Sequence, residues 1–305
     1  MFRRSDLTAS LPILASALLW GTLWIPLRAL NESGEVAARL TAAGFALPLL
    51  VLVPFAIHRR SELRRGGLAL AGAGLGLAIS IALYSEALVR GSIARVVLLF
   101  YLMPVWTALL ARLRLAQPIT LRRLLSIGIG LAGLVVVYGP GGAAPATNTA
   151  GDWMALVAGI AWAATMVFFL PTPRQTALDR VVAQFAFLAP AYLLVRLVPG
   201  AHDAGAVAHA PAEAVALPLG WLLAFALAWM LPVVWLTIFG ASRLEPGRAA
   251  VLFMLEIAVS LATAALLADE PFGAREGIGA ALIAAAGLVE LAPAGRPSTT
   301  GPRAR

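Results

Sequence analysis

The sequence predicts an all-α integral membrane protein: ten transmembrane helices arranged as two inverted five-helix repeats. Three observations carry this. The first is composition. Of 305 residues, 61% are hydrophobic and only 12% are charged, with a mean hydropathy of +0.88. A soluble fold needs far more polar surface than that. The second is length. Apolar runs recur from end to end at the roughly 20 residues that a helix needs to cross a bilayer core. The third is internal similarity between the two halves.

The runs place helices at about 9–29, 35–57, 67–89, 94–114, 121–139, 152–171, 179–199, 216–239, 247–268 and 274–293. Met1-Phe2-Arg3-Arg4 and the apolar run after it read as a retained first helix rather than a signal peptide. The two longer connections, Pro140–Gly151 and Gly200–Ala214, contain no arginine. Most arginines fall on the side of the N-terminus, among them Arg3, Arg4, Arg59, Arg60, Arg64, Arg65, Arg112, Arg114, Arg122 and Arg123. The other side receives Arg28, Arg39, Arg90, Arg95, Arg196 and Arg275. Positive charge marks the cytoplasmic side, so both termini are expected in the cytoplasm.

The repeat is read by laying 87–118 on 240–271. Arg90 then meets Arg243, Arg95 meets Arg248, Leu99 meets Leu252, Phe100 meets Phe253 and Pro118 meets Pro271. Earlier in each half, Trp20 matches Trp162. Five helices per half is an odd number, so the second copy must run upside down, as in many secondary transporters. The expected organisation is a first repeat over 1–140, an outer linker at 141–151, a second repeat over 152–293 and a cytoplasmic tail at 294–305.

Composition also excludes chemistry. There is no cysteine, which removes disulfides and thiolate sites. All 23 basic residues are arginine, so there is no Walker A lysine and no Schiff-base lysine. The three histidines, His58, His202 and His209, form no metal-ligand pattern. No cofactor, no metal and no catalytic residue is expected, and the chain does not read as an enzyme. The net charge of +8 reflects loop arginines rather than a nucleic-acid surface.

Ionisable groups inside a membrane are costly, so they mark function first. Glu256 lies deep in the ninth run, and Ser260 and Thr263 share its helical face, continued by Phe253 and Ala249. This stripe suits a wet cavity, with Glu256 contacting a substrate amine or exchanging a proton. A structural hydrogen bond between helices is the alternative. Glu86, Arg90 and Arg95 cluster near one end, with Arg243 and Arg248 at the repeat-equivalent positions on the other. They are gate candidates, or else arginines that snorkel to headgroups. Aromatic side chains at membrane depth supply the remaining lining candidates: Trp20, Trp24, Tyr84, Phe100, Tyr101, Trp162, Trp229 and Trp235. Pro104 and Pro232 sit mid-run and invite kinks. The Gly72-Ala73-Gly74-Leu75-Gly76 stretch reads as helix packing, not a phosphate loop.

Several pieces, in order, resemble the EamA-type drug/metabolite transporter superfamily. They are Leu19-Trp20-Gly21-Thr22, Arg39, Tyr101-Leu102-Met103-Pro104-Val105-Trp106, Ala116-Gln117-Pro118, Leu255-Glu256-Ile257 and Ala268-Asp269-Glu270-Pro271. Glu270 fits the family's acidic residue before proline, and Gln117 departs from it. The resemblance implies two five-helix repeats and export of amino acids, metabolites or drug-like solutes. The expected function is therefore a secondary transporter in a bacterial inner membrane, binding a small molecule, with a proton as the candidate second ligand, as a monomer or weak homodimer. A membrane-embedded enzyme and a nucleotide-sugar-type carrier are the alternatives.

Overall fold

Proline and glycine decide where the long apolar runs depart from a continuous helix. In the computed structural model, residues 4–31, 37–115, 121–138, 149–169, 175–197, 219–241, 243, 253, 255–268 and 273–291 are described, and no strand occurs among them.

The first run is split into α1 (Arg4–Gly21) and α2 (Trp24–Asn31). Pro26 has no N–H to return to the Thr22 carbonyl, and Ile25 takes that carbonyl instead at 3.1 Å. After α3 (Ala37–His58) comes α4 (Arg60–Arg90). Within α4, Gly67 adopts φ 52, ψ −145, a left-handed conformation that favours glycine. The kink lies where the sequence predicts the third span to begin.

The fourth run is likewise split, into α5 (Ile93–Phe100) and α6 (Met103–Leu115). Pro104 thus falls in the first turn of α6 rather than inside a kinked helix. There its missing N–H removes no bond. Next come α7 (Leu121–Tyr138), α8 (Ala150–Phe168) and α9 (Ala177–Arg196). The last two open on matching capping boxes, Thr149 with Asp152 and Thr176 with Asp179. The eighth run begins as α10 (Leu219–Leu223), widens into a π-helical stretch over Ala224–Met230 and continues as α11 (Leu231–Ala241). Pro232 opens α11. The remaining helices are α12 (Leu255–Leu267) and α13 (Ala274–Leu291).

Seven helical spans among the described residues are long and apolar enough to cross a membrane. They are Leu11–Asn31, Ala37–His58, Arg60–Arg90, Ile93–Arg114, Ala150–Phe168, Ala177–Arg196 and Leu219–Gly240. Two of them run across the breaks at 22–23 and 101–102. Large apolar side chains such as Leu50, Leu68, Leu113 and Leu194 stay exposed on the outside of the bundle. Water would penalise that surface; lipid does not.

The centre is α4, wedged between α8 and α9. Its glycines allow this. A Cβ on Gly74 would lie 2.6 Å from the Ala183 main chain on α9. Ser80, on α4, donates to the Ala158 carbonyl of α8 at 2.9 Å. Around this centre α3 packs on α9 and on the π stretch, α1 on α11 and α12, and α5 and α6 on α8. Two further pairs are α5 with α12 and α7 with α13.

Gly159 shows how a break is accommodated. Pro104 has no N–H to offer the Phe100 carbonyl, and that oxygen lies against α8, 2.8 Å from where a Gly159 Cβ would be. Gly159→Ala is expected to cost about 1–3 kcal/mol through this overpacking. Gly128→Ala, where a Cβ would meet nothing within 4 Å, is expected to be neutral or stabilising by up to about 1 kcal/mol. Thermal unfolding of the two detergent-solubilised variants measures the difference.

Candidate functional site

Glu256 anchors the site. It stands in the first turn of α12, and its side chain is almost completely enclosed, the residue being 4% exposed. Residues 247–252 and 254, expected to precede it in the same span, lie outside the described residues, Ala249 among them. A buried carboxylate requires hydrogen-bond donors. The Tyr84 hydroxyl of α4 donates to Oε1 at 3.1 Å, and the Tyr101 hydroxyl lies 2.7 Å from Oε2. Tyr101 occupies the break between α5 and α6, which turns its hydroxyl toward α12. The same hydroxyl is 2.9 Å from the Phe253 carbonyl.

Aromatic rings surround these bonds. Trp20 meets Tyr84 edge-on at 6.3 Å between centroids, and Tyr84 meets Phe100 at 4.6 Å. Phe100 in turn contacts Tyr101 at 5.9 Å and Trp162 at 6.2 Å. Both tryptophans of α1 and α2 have their N–H groups satisfied by threonines: Trp20 by Thr237 at 2.9 Å and Trp24 by Thr263 at 3.1 Å. Their indole donors are thus occupied, and what they can offer a ligand is ring face. Gly21 lets α1 approach α12 closely; a Cβ there would lie 2.6 Å from Val259. Ser260 is buried one turn beyond Glu256.

The structure therefore brings Trp20, Tyr84, Phe100, Tyr101, Trp162, Phe253 and Glu256 into one cluster, with Ser260 on the adjoining turn of α12 and Trp24 of α2 bound to Thr263 just beyond it. Trp229 lies beside it, donating from the π stretch to Thr22 at 3.1 Å. Trp235 is elsewhere. It is 37% exposed and stacked on Phe239 at 4.6 Å, apart from these rings.

The ionic residues also sort differently from expectation. Glu86 is buried, and its Oε1 accepts from Arg90 Nε at 2.6 Å and from Arg196 at 2.7 Å. Arg196 ends α9, so the cluster ties α4 to α9. Arg95 is not part of it; its guanidinium faces Asp152 of α8 at 3.7 Å. Arg243 does not mirror Arg90. It is exposed and sits 3.8 Å above the Phe239 ring. Arg248 lies outside the described residues. The opposite end of α9 carries a pair that the sequence reading missed: Arg59 binds Asp179 through two bonds of 2.8 and 2.9 Å. Those bonds raise the Arg59 pKa above its ordinary value. The available signal was Thr176 three residues before Asp179, a capping pattern. Nothing in sequence joins Arg196 to Glu86. Among the described residues no three metal-ligating side chains converge.

The model of the EamA-like transporter family matches residues 7–139. Residues 7–139 are thus similar to a transporter family, and the apolar spans along the chain are those of a multi-pass membrane protein. In fold, the likeness to solved structures spans both halves. One crystal structure covers 93% of this chain and 96% of its own at 21% identity, with a TM-score of 0.58. At that identity it speaks for the fold alone. A search of curated protein sequences finds no match.

Glu86→Ala leaves Arg90 and Arg196 without their carboxylate and is expected to destabilise the folded protein by roughly 3–5 kcal/mol. Adding Arg196→Leu to that variant should recover part of the loss. A double-mutant cycle on thermal unfolding tests the pairing; additive losses would refute it.

Proposed function

We propose that this protein is a secondary carrier that exports a small amphipathic organic solute by alternating access between two inverted five-helix repeats. The observation that carries the reading is the enclosed Glu256 carboxylate. It stands on α12 in the second half, is held by tyrosines of the first half, one of them at the α5–α6 break, and is ringed by aromatic faces. Buried ionisable groups in membrane bundles are costly and mark transport pathways, and broken helices at membrane depth are tolerated where they line a site.

The helix pairings support the repeat. With the halves exchanged, α4 on α8 becomes α11 on α1. The contact of α5 and α6 with α8 becomes that of α12 with α1, and α4 on α9 becomes the π stretch on α3. The pairs α3–α9, α5–α12 and α7–α13 map onto themselves. Ten spans, with repeats over 1–140 and 152–293, account for this symmetry. The arginine distribution favours cytoplasmic termini in a bacterial inner membrane.

The cluster also suggests the solute. Aromatic faces suit an apolar body, and a carboxylate suits a cationic group. Arg28 stands 5.4 Å from the Trp24 ring centroid, but its guanidinium binds the Leu88 and Gly91 carbonyls, which disfavours a phosphorylated cargo such as a nucleotide sugar. The lining is proposed as Trp20, Trp24, Tyr84, Phe100, Tyr101, Trp162, Phe253, Glu256 and Ser260, with Trp229 at its edge. Glu86, Arg90 and Arg196 form the proposed latch at one end, and Arg59 with Asp179 the latch at the other. The carrier is proposed to work as a monomer or weak homodimer, without cofactor.

Counterflow into proteoliposomes, with a labelled panel of amino acids and amphipathic amines, tests the reading. Wild type should take up one class, Glu256→Gln should lose at least about tenfold of that uptake, and Trp235→Ala should retain it. Equal uptake by wild type and Glu256→Gln would remove Glu256 from the site. Because the chain lacks cysteine, a single cysteine at Glu62 reports topology cleanly. It should react with an impermeant thiol reagent only after the cytoplasmic face is opened.

A further inference from the structure

The Tyr101 hydroxyl has one proton and two acceptors. Glu256 Oε2 lies at 2.7 Å and the Phe253 carbonyl at 2.9 Å, on opposite sides of the donor choice. Tyr84 differs: among the described residues its hydroxyl has Glu256 alone as acceptor, at 3.1 Å. The two tyrosines therefore cannot respond alike if the carboxylate changes charge.

With Glu256 ionised, both hydroxyls donate to it. With Glu256 protonated, its new O–H needs an acceptor inside a closed site. Tyr101 can supply one, because its own proton can turn to the Phe253 carbonyl. Tyr84 cannot do so without leaving its own O–H unpaired. We propose that Glu256, Tyr101 and the Phe253 carbonyl form a one-proton site that binds by reversing the direction of a hydrogen bond. The proton adds to Oε2, the Oε2–H donates to the Tyr101 oxygen, and the Tyr101 O–H swings from Oε2 to the Phe253 oxygen. No heavy atom must move far, and the group passes from charge −1 to neutral.

The surroundings leave this exchange to these groups. Several charged side chains on the surrounding helices have partners of their own, and Arg28 also stands 5.4 Å from the Trp24 ring centroid. Arg28 of α2 binds the Leu88 and Gly91 carbonyls, and Arg95 of α5 faces Asp152. On α4, Glu86 and Arg90 bind each other. Glu276 of α13 accepts from the Gly273 N–H, and Arg275 beside it also has a partner. The reversal changes the bonding of Phe253, two residues before the first residue of α12, so proton binding reaches the start of that helix. This inference concerns the carboxylate of the proposed transport site, and only its consequence for transport rests on that reading.

The test needs no substrate. Full-length protein in lipid nanodiscs is stepped through pH, and the carbonyl stretch of a protonated carboxyl group is followed by infrared difference spectroscopy. Glu256→Gln assigns the band by its loss. Tyr84→Phe removes a donor whose only acceptor is Glu256 and whose bond is stronger to the ionised than to the protonated group, and should raise the titration midpoint by about one pH unit or more. Tyr101→Phe removes a partner from both charge states, and should shift the midpoint less than Tyr84→Phe does, although its bond is the shorter. A larger shift for Tyr101→Phe would make Tyr101 a plain donor and overturn the proposal. So would the absence of any titrating Glu256 band in folded protein. If Tyr101→Phe does not fold, the wild type answers by itself. With phenylalanine carrying carbon-13 at its carbonyl, an amide band should shift together with the carboxyl band, and Phe253→Leu should abolish that shift. An amide band that stays still through the titration would overturn the proposal.

Discussion

In lipid, a backbone group released by a helix break must be served by protein, because no water is there to serve it. The architecture around Glu256 follows from that constraint. At 22–23 the Ile25 N–H serves the Thr22 carbonyl that Pro26 cannot, and the Trp229 indole comes from the π stretch to the Thr22 hydroxyl. At 101–102 the released Phe100 carbonyl lies against Gly159 of α8, where only hydrogen occupies the side-chain position. Each break therefore dictates what the neighbouring helix must carry. Glycine, threonine and tryptophan appear where one helix has to attend to another.

The breaks also create the site. A continuous fourth helix would carry Tyr101 as one more ring on a regular face. The turn at 101–102 instead turns its hydroxyl toward α12 and the Glu256 carboxylate. Gly21, at the end of α1, lets the first break sit directly on the same helix. The carboxylate is thus reached from α4, from the α5–α6 turn and, through the aromatic ring chain, from α1 and α8. Hydrogen bonds set its position, while ring faces define its surroundings.

Charge is arranged on a different principle. The ion pairs at Glu86–Arg196 and Arg59–Asp179 lie at the two ends of α9. Both connect it to helices of the first half, α4 at one end and the α3–α4 turn at the other. Together with close packing through Gly74, they make α9 a strut shared between the halves. Any motion of one half against the other has to break one of these connections or carry α9 along.

Composition and run length alone determined that the chain is helical, apolar and membrane-spanning, because the period and length of hydrophobic runs answer directly to the bilayer. Sequence also singled out Glu256, since a carboxylate inside an apolar run has few innocent explanations. The aromatic residues Trp20, Tyr84, Phe100, Tyr101 and Trp162 were visible as candidates for the same reason. Trp235 met the same criterion and stands on the surface, because depth along a helix says nothing of the direction a side chain faces. Which arginine meets which carboxylate was likewise invisible. Arg196 and Glu86 are 110 residues apart, and no local pattern links them; only the packing of α9 on α4 does. Tertiary structure alone decided that Tyr101 has two acceptors. That depends on where two helix ends stop relative to each other, a matter of a few tenths of an ångström that no spacing in the sequence encodes.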